Sequence, residues 1–82
     1  MKVRINIALK KAVLDTQGKA IENSLIKNLG YSQISNVRQG KFVDFEINET
    51  DENKIKAIVD SVCDKLLVNK IIEDYSFEII KN

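Results

Sequence analysis

Few groups in this sequence are able to do chemistry, and their spacing restricts them further. Two carboxylate pairs, Asp51 with Glu52 and Glu73 with Asp74, are sequence neighbours. Neighbours in a strand point to opposite faces, so such a pair cannot serve one substrate as acid and base. Solvated surface is the simpler role for them. The one thiol, Cys63, sits on an apolar helical stripe, where a buried and inert cysteine is expected. There is no histidine, which excludes a histidine triad, a histidine metal site and a histidine acid–base. One cysteine makes no Cys-x-x-Cys motif. Neither a Gly-x-Gly-x-x-Gly nor a Gly-Lys-Ser/Thr phosphate loop occurs. Arg38 and Lys41 flank Gly40, either as a small cationic contact or as a solvated turn. Gly18 falls where a helix should begin, and glycine there costs about 1 kcal/mol relative to alanine. Close approach of a backbone or a ligand would account for it, as would a loop that runs on to Gly18.

The elements that must hold these groups are legible from periodicity. Val3, Ile5, Ile7 and Leu9 alternate with Lys2, Arg4, Asn6 and Ala8, which predicts a first strand over residues 2–9. Asp15 is a candidate helix N-cap. The helix it opens carries Ile21, Leu25 and Leu29 and stops at Gly30, the expected left-handed C′ residue. Residues 33–38 read as a short second strand at an edge, bulged because Ile34 and Val37 are three apart. Residues 37–47 read as a hairpin with Gly40 at the turn, and Val43, Phe45 and Ile47 mark the buried face of a third strand. Thr50 or Asp51 caps a second helix with Ile55, Ile58, Val59, Val62, Cys63 and Leu66 on one stripe, ending near Asn69. Tyr75, Phe77 and Ile79 alternate with polar residues in a fourth strand. The order βαββαβ predicts an α+β fold, the ferredoxin-like split βαβ. Four antiparallel strands, ordered fourth, first, third, second, would carry both helices on one face.

Composition narrows the function classes. The chain has 82 residues, one domain over residues 1–82, with 44% apolar residues. A domain of this size buries only about 60–65% of its unfolded surface, so self-association is expected to add burial. Thirteen basic and twelve acidic residues leave a net charge of +1, unlike the basic footprint of a nucleic-acid binder. RNA-recognition domains of this topology stack bases on strand aromatics. Here that face offers Lys2, Arg4 and Asn6 with Phe42, Asp44 and Glu46, one aromatic and two carboxylates, which argues against RNA. Arg4 is expected to pair across strands with Asp44, Glu46 or Glu78. A single cysteine and the lack of a membrane-length apolar run point to a reducing, cytoplasmic setting without membrane contact. Leu66, Leu67, Val68, Ile71 and Ile72 exceed what a two-layer core needs, which suits a protein interface.

Several stretches carry a family likeness. Val13-Leu14-Asp15-Thr16-Gln17-Gly18-Lys19-Ala20, Leu29-Gly30-Tyr31, Val37-Arg38-Gln39-Gly40-Lys41 and Cys63-Asp64-Lys65-Leu66-Leu67-Val68-Asn69 resemble, in sequence and spacing, the PurS family. The family usually has proline where Thr16 and Lys70 stand. PurS is the small subunit of phosphoribosylformylglycinamidine synthase. The resemblance implies a chain that is not itself catalytic and binds no cofactor, within a ligase whose synthetase subunit uses ATP and magnesium. A homodimer, or a tetramer in isolation, would bridge a PurQ-type glutaminase and a PurL-type synthetase and help enclose the ammonia passing between them. On that basis Asp15, Gln17 and Gly18 are expected on one contact surface and Arg38, Gly40 and Lys41 on another. Two other readings share the topology: an ACT-like module binding amino acids at a dimer interface, and a small enzyme acting through arginine, lysine and carboxylates.

Overall fold

The computed structural model describes residues 1–80, so the last two residues of the expected domain lie outside the described range. The alternating N-terminal segment forms β1 (Lys2–Leu9), the centre of a three-stranded antiparallel sheet. β2 (Gly40–Glu46) and β3 (Glu73–Ile80) pair on either side of it, in the order β2-β1-β3. Ile5 stands opposite Val43 in one register and Phe77 in the other. The period of two therefore collects apolar side chains on one face. Val3, Ile5 and Ile7 are buried there, with Val43, Phe45, Ile47, Tyr75, Phe77 and Ile79 packed around them.

That face is covered by α2 (Glu52–Val62), which Asp51 caps by accepting a hydrogen bond from the Asn53 N–H at 2.9 Å. Ile55, Val59 and Cys63 are completely buried against the sheet. A π-helical turn (Cys63–Leu67) follows, closed by the Val68 N–H donating to the Cys63 carbonyl. Its extra residue per turn shifts the phase of the stripe. Val68 is buried and Leu67 half-buried, while Leu66, expected on the stripe, is 82% exposed.

α1 (Thr16–Asn23) starts at the expected cap, Asp15, and continues into a second π-helical turn (Ser24–Asn28). It ends at Gly30, whose φ of +78° is the left-handed C′ conformation. Its apolar stripe, however, stays outside the core: no residue of α1 belongs to the buried cluster. Ile21 is 42% and Leu29 64% exposed.

Three expectations are corrected. Residues 31–39 form no strand, so the sheet among the described residues has three strands instead of four. Their N–H groups are engaged elsewhere: Tyr31, Ser32 and Ile34 donate to nearby backbone carbonyls, Val37 donates to the Glu22 side chain and Gln39 to Asp15, so they build no ladder. Gly40 is not a hairpin turn but the first residue of β2, facing Ala8 of β1. A Cβ there would lie 2.9 Å from the Ile7 carbonyl oxygen, so glycine serves close approach within the ladder. Finally, one helix covers the sheet face, not two. The fold is flat, 48 × 31 × 15 Å, with a radius of gyration of 16.1 Å.

Candidate functional site: a braced loop cluster

Where β1 ends, the chain must turn into α1, and the loop before β2 returns to the same place. Asp15 joins the two. It is 5% exposed; its Oδ1 accepts from the Gly18 N–H at 2.9 Å and its Oδ2 from the Gln39 N–H at 2.6 Å. The first bond is the helix cap that the sequence announced. The second fastens a loop 24 residues further along. The Gln39 and Gly18 N–H groups, helped by the nearby charge of Arg38, hold the Asp15 carboxyl below the usual carboxylate range despite its burial.

Gly18 sits where the two segments touch. A Cβ at this position would meet Asp15 Oδ2 at 2.5 Å, the Val37 carbonyl oxygen at 2.6 Å and Arg38 Cα at 3.0 Å. Close backbone approach, one of the two explanations open for a glycine in a first helical turn, is the one found. Arg38 closes the joint from the other side. Its guanidinium donates to the carbonyl oxygens of Lys10 at 3.0 Å, Val13 at 3.2 Å and Leu9 at 3.3 Å. Such a fork of donors is what arginine supplies and lysine cannot.

Two participants escape a reading by motif. Glu22, on α1, accepts from the Val37 N–H at 2.9 Å. That bond, followed by Lys19, holds its carboxyl low. Asn36 has φ +55°, a left-handed conformation in which asparagine is several-fold enriched. An asparagine just before the Val-Arg-x-Gly-Lys block was the available signal for Asn36. For Glu22 there was none, since its partner is 15 residues away.

The predicted residues are neighbours around this joint. Asp15, Gln17, Gly40 and Lys41 line a shallow depression together with Gln39 and Glu73; Gly18 is buried, and the exposed Arg38 lines a second depression with Asp15, Lys19 and Glu22. Lys41 reaches Glu73 at 3.5 Å. Gln17, Leu14 and Lys11 face outward.

Elsewhere several chemically capable groups hold structural places. Glu73 also accepts from the Asn69 N–H, and Asp74 pairs with Lys10 at 3.3 Å. Cys63 is buried, and desolvation, with Asp60 nearby, pushes its thiol up and away from reactivity. The Tyr75 hydroxyl donates to Asp60 at 2.9 Å, and that bond raises its pKa. Arg4 binds Asp44 through both carboxylate oxygens at 2.8 and 2.9 Å and lies over the Phe42 ring, so the expected cross-strand partner is Asp44. Among the described residues no group of three His, Cys, Asp or Glu side chains could hold a metal ion. No helix among them is long and apolar enough to cross a membrane.

The fold and site define a small α+β domain that presents a rigidly braced loop cluster and no assembled reactive group among its described residues. The family model for PurS, phosphoribosylformylglycinamidine (FGAM) synthase, matches residues 2–81. The synthase subunit PurS of Bacillus subtilis is 37% identical over 78 residues, spanning 95% of this chain and 90% of that protein. The PurS subunit of Synechocystis is 41% identical over 76 residues, 93% of this chain and 75% of that one. The crystal structure of Methanocaldococcus jannaschii PurS, one of the subunits of formylglycinamide ribonucleotide amidotransferase in the purine biosynthetic pathway, superposes with a TM-score of 0.85 at 36% identity, covering 99% of this chain and 96% of that one. A chain of the Thermotoga maritima PurLQS structure matches with a TM-score of 0.85 at 30% identity, covering 94% and 93%. The chain belongs to the PurS family of phosphoribosylformylglycinamidine synthase subunits. That assignment sets aside the ACT-like module.

Proposed function

We propose that the chain is the non-catalytic small subunit of the synthase, acting in the cytoplasm as a homodimer between a PurQ-type glutaminase and a PurL-type synthetase. The observation that carries this reading is exposed area. The isolated protomer exposes 6132 Å², whereas a folded monomer of this mass exposes about 5,000 Å². The surplus, about 1,100 Å² per protomer, is of the size one partner contributes to a stable interface, about 800 Å². The radius of gyration of 16.1 Å exceeds the roughly 12 Å of a compact 82-residue domain for the same reason. The strand order β2-β1-β3 also suits a ferredoxin-like frame whose remaining contacts come from another chain.

In this reading ATP and magnesium serve the synthetase partner, and this chain binds neither. Ammonia released into water is diluted and largely protonated, whereas an enclosed interface keeps it neutral beside its acceptor. Gln17, Gly40 and Lys41 face the partner subunits, and Asp15, Gly18 and Arg38 hold them in place. Reconstitution with the matching two subunits tests the proposal. Conversion of formylglycinamide ribonucleotide to the amidine should require this chain with glutamine but not with added ammonia. A requirement in both reactions would make it a support for the synthetase fold, and a requirement in neither would overturn the proposal.

A further inference from the structure

α1 is held to the rest of the protomer by polar bonds, not by burial. Its stripe of Ile21, Leu25 and Leu29 contributes nothing to the core. The three carbonyls that Arg38 binds all belong to the end of β1 and the β1–α1 loop. From these two facts we infer that Arg38 is a positioning residue: by tying that loop to the segment before β2, it sets the direction in which α1 leaves the sheet. So held, the helix keeps its apolar side outside the core and offers it to a second copy of this chain. The second copy is the occupant because the surplus area matches one partner's share of a dimer interface. The inference therefore rests on the homodimer reading above. It also gives Arg38 an internal bracing role, since Nη1 and Nη2 of this exposed side chain donate to its own chain's backbone.

Spin labels on Lys27→Cys and Ser76→Cys, both exposed positions, would report the angle between α1 and the sheet. Buried Cys63 does not compete for label. Measured in excess unlabelled chain, the distance should be narrow in the parent and broadened in Arg38→Ala. Arg38→Lys, which keeps the charge but not the fork, should behave like Arg38→Ala. The monomer–dimer dissociation constant should rise about tenfold or more in both. Protection of β1 amides should persist, because the sheet and α2 do not depend on the brace. An unchanged distance in either folded variant overturns the positioning role, whatever the dimer does. A parent chain that stays monomeric overturns the homodimer reading instead, and the label distance still decides the role of Arg38.

Discussion

The two helices carry similar apolar stripes, yet they are held in opposite ways. In α2 the residues at spacing four, Ile55, Val59 and Cys63, are completely sealed against β1. In α1 the residues at the same spacing, Ile21, Leu25 and Leu29, remain half-buried or exposed. What fixes α1 is a set of hydrogen bonds around Asp15, Arg38 and Glu22 that hydrophobic pattern does not encode. Periodicity reports that a face wants covering but not which chain covers it. α2 is covered within the protomer; α1 is aimed.

The comparison can be broken most forcefully at the buried stripes. Ile55→Ala should lower the unfolding free energy by about 2–5 kcal/mol, as for other sealed aliphatic side chains. Ile21→Ala, measured where the chain is monomeric, should cost less, about 1 kcal/mol, because that side chain is 42% exposed and lies outside the sealed cluster. Equal losses in denaturant melts would show that α1 is packed like α2. Gly18→Ala comes next. Its Cβ would press on the Val37 backbone oxygen at 2.6 Å, and a loss of about 1–3 kcal/mol is expected from the displaced loop.

Asp15→Asn sharpens the comparison through pH. The folded Asp15 carboxyl is held low, so its stabilisation is present above the ordinary carboxylate pKa near 4 and lost as pH falls through the folded value. Asp44, Asp60, Asp64 and Glu22 are also held low and give the acid limb a shared slope. The variant should be less stable than the parent at neutral pH and show a shallower limb below pH 4 or so. A limb identical to the parent's would remove Asp15 from the brace. Asp44→Asn should have the smallest effect, fading in high salt, since the Arg4 pair lies partly in water on the open sheet face.

How much of this was legible follows from which interactions are local. β1, β3 and the buried half of α2 follow from periods of two and of nearly four. The Asp15 and Asp51 caps and the Gly30 stop are encoded within a few residues of themselves. The loop before β2 was misread as a strand because its partners are the side chains of Asp15 and Glu22, 24 and 15 residues away. Leu66 was misplaced because a π-turn, which leaves no pattern in the residues, advances the stripe by one position. Of the six candidate residues, nothing local reveals that Gly18 touches the backbone at Val37 and Arg38. Their presence in the family likeness is what singled them out.

The account turns on α1 being covered by a second copy of the chain, and sedimentation equilibrium of the isolated chain asks this most directly. The protomer mass is 9.3 kDa, and the account predicts an apparent mass that climbs toward twice that value as concentration rises. A mass that stays at 9.3 kDa across the whole concentration range would contradict it.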